Sequence, residues 1–240
     1  MSTQPRLVIG QKRYSSWSLR PWILLKHANF PFTEVNIAVE GIGFNEKLLP
    51  LSPSGLVPIL HLDDGSGDTV WDSLAITEFL NERCAAGVVW PVDVRARTLA
   101  RAISAEMHSG FGDVRALLSF NLGFRLTKAP DFSERVTSQL ARICSVWADA
   151  RARFGEPSGE GPFLFGRFCA ADAMYAPVVW RFYTYRVPIS DARAVAYYES
   201  MLAHPLMQEW RKDALAETTG RVAKYDEHVI SLGGAPETSA

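Results

Sequence analysis

Three short segments hold the residues of this chain best suited to chemistry. Tyr14-Ser15-Ser16-Trp17-Ser18-Leu19-Arg20-Pro21-Trp22 places two adjacent hydroxyls where a strand gives way to a helix. Backbone N–H groups at a helix start favour negative charge, so a thiol brought to Ser15 or Ser16 would become more acidic. A free thiol is only about three per cent ionised at pH 7, and lowering its pKa to about 7 makes about half of it reactive thiolate. That shift requires about 2 kcal/mol of preferential stabilisation of the anion, within reach of one hydroxyl hydrogen bond and a helix terminus. The same serines also suit a plain helix cap. Gly55-Leu56-Val57-Pro58-Ile59 brings a proline to the start of an apolar run, where either proline isomer fits. Asp72-Ser73 opens another helix: Ser73 can meet a carboxylate and Asp72 an ammonium, the two signs of a zwitterionic amino-acid end, and an N-cap uses the same residue types.

The elements that must position these residues follow from periodicity. Leu7-Val8-Ile9-Gly10 predicts a short buried strand, and Trp17, Trp22, Ile23, Leu24 and Leu25 predict a helix that stops before Pro31. Phe32 to Val39 alternates like a strand, and Asn45 to Leu49 has polar helical spacing. Val57 to Leu62 and Thr69-Val70-Trp71 flank the turn Asp63 to Asp68 as a hairpin, and Ser73 to Arg83 is helical. This β-α-β-α-β-β-α series predicts a thioredoxin-like domain over 1–86. From 87 to 240 the expectation is an all-helical domain: a long helix from Val94 to about Leu122, then helices over Phe132–Arg153, Ala170–Tyr185, Ala192–Ala203 and Pro205–Glu217. The tail from Gly233 has a disordered composition.

Composition narrows the class. A chain of 240 residues buries a substantial core without staples. With 25 basic and 26 acidic residues, bulk charge favours neither nucleic acid nor an anionic membrane as partner. Cys84, Cys144 and Cys169 form no C-x-x-C pair, which predicts a reducing compartment without disulfides. The N-terminal residues lack a signal-peptide pattern and no apolar run is long enough to span a bilayer, so a cytoplasmic location is expected. His27, His61, His204 and His228 show no metal-ligand spacing, and no metal is expected.

In order and spacing the three segments resemble the cytosolic glutathione transferases, over roughly residues 6 to 215. Ser15-Ser16-Trp17-Ser18-Leu19-Arg20 is similar to the Ser-Ser-Cys-Ser-x-Arg stretch of the zeta class, which includes maleylacetoacetate isomerase. The resemblance implies that Ser15, with Ser16 as the alternative, activates the thiol of glutathione. It implies a cis Val57-Pro58 whose Val57 backbone anchors the cysteinyl part, and Asp72 and Ser73 as holders of the γ-glutamyl end. Trp17 stands where that class has cysteine, which sets the isomerase's particular chemistry apart, and Gly10 at the strand end argues against a tyrosine-type activator. Pro21 fits the first helical turn if Ser18 is the N-cap, leaving Ser15 and Ser16 in the loop. Phe165 to Ala173 resembles the family's buried capping box, with Asp172 accepting from the N-cap N–H.

The second substrate has a weaker signature. Met107, His108 and Phe111 span one turn of the long helix and Arg115 lies a turn on, where the family builds its electrophile pocket, although apolar residues at this spacing also suit a core. Arg181, among Tyr175, Trp180 and Tyr183, could meet an acidic substrate from the following helix. The resemblance implies a homodimeric transferase acting on a small electrophile, with glutathione-dependent isomerisation or peroxide reduction as variants. A non-catalytic interaction module on the same fold is the rival. A cysteine-based oxidoreductase ranks below it, because no cysteine stands at the first helix start.

Overall fold

The computed structural model of the chain describes residues 4–38, 45–218 and 220–237, so Val39 and the last residues of the tail lie outside it. A mixed four-stranded sheet runs in the order β2-β1-β3-β4, from β1 (Arg6–Gly10), β2 (Thr33–Ile37), β3 (Ile59–His61) and β4 (Thr69–Trp71). β1 pairs parallel with β2, Val8 opposite Val35, and antiparallel with β3, Val8 opposite Ile59. Parallel neighbours need a crossover. Helix α1 (Ser16–His27) supplies it, and α2 (Ser73–Asn81) follows β4. Leu7, Val8 and Ile9 are buried, as a central strand covered by helices requires.

A helical half follows: α3 (Val94–Ser109), α4 (Gly112–Leu117), α5 (Glu134–Ala150), the single turn α6 (Glu156–Ser158), α7 (Ala170–Tyr185), α8 (Ala192–Ala203), α9 (Pro205–Ala216) and α10 (Ala223–Ser231). Helix α7 is apolar on nearly all sides because it is the interior element, packed by α1 and α3. Leu19, Trp22, Ile23, Leu24 and Leu25 of α1 are all buried, so α1 joins the two halves. Lys12 strengthens the join: its ammonium contacts Glu34 at 2.9 Å and Asp213 at 2.7 Å beneath the rings of Trp22 and Trp210. Among the described residues no helix is long and apolar enough to cross a membrane.

Four expectations change. The helix expected from Val94 to Leu122 breaks at Gly110, where a Cβ would lie 2.6 Å from the Glu106 carbonyl oxygen, and Phe111 turns the chain at φ 56°. The helical half also holds a two-stranded ribbon: Gly234–Pro236 of the tail (β6) pairs with Phe124–Leu126 (β5). Elements this short carry no readable alternation. Helix α10 lay beyond the last expected helix, although Val222, Tyr225 and Val229 have apolar helical spacing. Finally, the N-cap of α1 is Ser15, which leaves Pro21 in the helix interior, where it removes the N–H that would bond the Trp17 carbonyl. Tertiary burial holds the helix in spite of that loss.

Asp172 binds the start of α7 to the loop before it. Its Oδ2 accepts from Cys169 N–H at 2.8 Å and its Oδ1 from Leu164 N–H at 3.1 Å, all within the core. Asp172→Ala leaves both donors buried and unpaired and is expected to cost about 3 kcal/mol, measured by urea unfolding. Burial raises the Asp172 pKa to about 6. Its folded pKa therefore exceeds the unfolded value, and the native state binds more protons between about pH 4 and 6. The Asp172 contribution falls as pH rises through that window and is constant above it. Asp172→Asn, which cannot titrate, removes this slope when unfolding is compared at pH 4.5 and pH 7.

Candidate active site

A cavity of about 970 Å³ lies where the ends of β1 and β4 and the starts of α1 and α2 meet α3, α4 and α7. It gathers Ser15, Ser16, Val57, Pro58, Asp72 and Ser73 from the first half, with His108, Arg115 and Arg181 from the second. Gly10 allows the first of these to close on the strand. A Cβ at Gly10 would lie 3.3 Å from the Ser15 Cβ and Oγ and from the Val57 Cγ2.

Ser15 is the N-cap of α1 by position, yet its side chain caps nothing. Its hydroxyl donates to Ser18 Oγ at 2.7 Å, and Ser18 Oγ also accepts from the Gly10 N–H at 3.2 Å. Ser16 Oγ accepts from Arg181 Nη2 at 3.3 Å. The neighbouring Tyr14 hydroxyl is engaged elsewhere, donating to Asp226 at 3.0 Å, and its pKa is pushed up to about 12, first by burial and then by the Asp226 charge.

The Val57–Pro58 bond is cis. Neither Val57 N–H nor its C=O is used by another of the described residues, which leaves a donor and an acceptor for an extended ligand backbone. Asp72 caps α2, its Oδ1 accepting from Leu74 N–H at 2.8 Å, while its Oδ2 lies 3.3 Å from His108 Nε2. Asp72 sits at φ 75° and ψ 138°, a strained conformation for a residue with a Cβ. Beside it, the Ser73 hydroxyl is buried and has no partner among the described residues. Such a group costs free energy unless something binds it.

The opposite wall carries positive charge with no ion-pair partner among the described residues. Arg181 is buried; its Nε donates to the Leu118 carbonyl at 2.7 Å, Nη2 to Ser16, and Nη1 has no partner among the described residues. Burial, with Arg115 adding to it, lowers its pKa to about 10. Arg20 is buried on α1, with Nε donating to the Met174 carbonyl and both terminal nitrogens unpartnered among the described residues. Its pKa is depressed by burial first and then by Arg181 and Arg115, against the pull of Asp72. The Trp17 ring meets two guanidinium groups, Arg20 at 4.1 Å and Arg115 at 5.6 Å from its centroid. An indole face attracts cations, which gives a physical reason for tryptophan at a position the resemblance reserved for cysteine.

Met107 and Phe111 do not line the cavity. Both are core residues, Met107 on the α3 face turned to α7, and the Phe111 ring is buried at the break after α3. His108, one step around the helix, faces the cleft, and its ring meets Trp17 edge to face at 5.1 Å. The sequence reading missed Trp17 and Trp71 as wall residues, and also Val222 and Tyr225, which reach the cavity from the α10 segment.

Family models match both halves: "Glutathione S-transferase, N-terminal domain" over residues 14–83 and "Glutathione S-transferase, C-terminal domain" over residues 130–213. The chain is 32% identical over 189 residues to maleylacetoacetate isomerase of Rattus norvegicus, covering 78% of this chain and 82% of that one. It is 26% identical to glutathione S-transferase-like protein gedE of Aspergillus terreus, covering 66% of this chain and 69% of the relative. Among solved structures, a glutathione transferase homolog from Burkholderia gl BGR1 with bound glutathione superposes with TM-score 0.62 at 22% identity, over 90% of this chain and 99% of that one. Ure2p in complex with S-hexylglutathione gives TM-score 0.63 at 19% identity, over 88% and 99%. The chain belongs to the glutathione S-transferase family.

Proposed function

We propose that this chain activates the thiol of glutathione with the Ser15 hydroxyl for attack on a small electrophile that carries a carboxylate. The domain over 1–86 holds the peptide and the domain over 87–240 selects its partner. Val57 exchanges backbone hydrogen bonds with the cysteinyl residue, Asp72 receives the γ-glutamyl ammonium, and Ser73 donates to the neighbouring carboxylate. The observation that carries this reading is the buried Ser73 hydroxyl, without a partner among the described residues, beside the Asp72 carboxylate in the cavity that Ser15 also lines. A zwitterion satisfies both at once. Arg181 and Arg115 supply positive charge for an acidic electrophile at the other end. That charge, and the similarity to a maleylacetoacetate isomerase, favour isomerisation as the second reading, in which the same thiolate adds and then leaves. Product analysis separates the two, since a transferase consumes glutathione and an isomerase does not.

The deciding experiment is the ultraviolet absorbance of bound glutathione thiolate, titrated from pH 5 to 9 beside free glutathione. A bound pKa at least one unit below the free value supports the reading. Binding without a shift, or no binding, refutes thiol activation, and no binding favours an interaction module.

Asp72 gives a second, opposing prediction. Asp72→Gly relaxes the positive-φ strain while a glycine N-cap costs only a few tenths of a kcal/mol, so unfolding free energy is expected to rise by about 1 kcal/mol. Glutathione affinity falls about 10-fold or more because the ammonium loses its counter-charge. Calorimetric titration beside urea unfolding checks both signs; a variant that binds normally removes Asp72 from the site.

A further inference from the structure

We propose that Ser18 is a positioning residue for thiol activation, passing a hydrogen bond from the strand backbone through Ser15 to the glutathione sulfur; this rests on Ser15 being the activating hydroxyl. Ser18 is fully buried on α1, at a position where alanine would serve the helix better. Its Oγ accepts both the Gly10 N–H and the Ser15 O–H. In this resting arrangement the Ser15 proton is engaged by Ser18, and the Ser18 proton has no acceptor among the described residues.

Rotation of the two C–O bonds resolves both conditions. Ser15 turns its proton to the sulfur, Ser18 turns its own to Ser15 Oγ, and Gly10 N–H keeps its acceptor. Every hydrogen in the chain from Gly10 through Ser18 and Ser15 then points toward the thiolate, and each bond polarises the next. No proton changes owner among the hydroxyls. The thiol proton itself leaves to solvent, and the relay stabilises the anion that remains. Gly10 belongs to the arrangement twice, as the N–H that anchors Ser18 and as the residue without a Cβ that lets Ser15 approach.

The test is the thiolate titration of glutathione bound to the full chain in the wild type, Ser18→Ala, Ser15→Ala and the double variant. Ser18→Ala is expected to raise the bound pKa by about half a unit, less than Ser15→Ala does, with glutathione Kd unchanged at about pH 6 and below, where the bound thiol is protonated. The double variant should match Ser15→Ala, because the relay acts only through Ser15. A fall in bound pKa on Ser18→Ala would mean that Ser18 merely competes for the Ser15 proton, and would overturn the proposal. An unchanged pKa, or additive effects in the double variant, would overturn it too. Should Ser18→Ala fail to fold, Ser18→Cys retains a weaker donor and acceptor and should give a smaller rise of the same sign; no rise there counts against the relay. If Ser15→Ala leaves the bound pKa at the wild-type value, the underlying reading fails and the relay with it, a result distinct from failure at Ser18 alone.

Discussion

Ser15→Ala is expected to lower kcat/KM at pH 7 by roughly 15-fold or more while leaving the affinity for the protonated thiol form of glutathione intact. The magnitude follows from ionisation alone: returning a thiol from a pKa of about 7 to about 8.5 cuts the thiolate fraction from about half to about three per cent. The sign of the pH dependence follows as well. As pH rises, free thiol ionises without help, so the deficit shrinks and nearly closes by about pH 9. A pH–rate profile of the two proteins checks this, with the bound thiolate absorbance as an independent readout. Ser16→Ala should have a smaller effect, because the Ser16 oxygen is held by Arg181 on the side of the second substrate. Equal activity of wild type and Ser15→Ala at neutral pH would remove Ser15 from its role.

The sequence made the Val57 and Asp72 end of this cavity far more legible than the His108 and Arg115 end, for a physical reason. Val57-Pro58 and Asp72-Ser73 are local devices: a proline fixing a strand entry and an acid capping a helix specify backbone geometry over two residues. Their companions at the other end meet only through tertiary packing. Met107 and His108 are adjacent, yet one is core and the other faces the cleft, and one step of helix rotation decides it. The break at Gly110 matters further on, because an unbroken helix to Leu122 would have turned Phe111 and Arg115 differently. Tyr225 and Val222 line the cavity in a segment held by Tyr14 and Asn121, contacts between residues more than 100 positions apart that no local pattern announces. Trp17 is the instructive case. In sequence it marks a departure from a motif; in the structure its ring meets two guanidinium groups.

Those guanidinium groups lead to the other large effect. Arg181→Met is expected to lower kcat/KM for a carboxylate-bearing electrophile by about 100-fold, in the range for losing one partner of a desolvated charge pair. A neutral electrophile of similar shape should lose much less, because the glutathione end is untouched. Stability should move the opposite way. Arg181 holds a buried positive charge close to Arg115 and Arg20, and the lowered pKa of Arg181 and Arg20 reflects burial first and this crowding second. No carboxylate pairs with Arg181 among the described residues, and its Nη1 is unpartnered. Methionine fills comparable volume without the desolvation cost, so Tm should rise even though the Leu118 carbonyl and Ser16 lose a donor. A residue that weakens the fold and strengthens the reaction is expected of a site held ready for a charged ligand. Kinetics on a matched acid and neutral pair, with melting curves of both proteins, test the two halves together. If Arg181→Met loses stability and both substrates suffer equally, Arg181 is a structural residue and the carboxylate requirement fails.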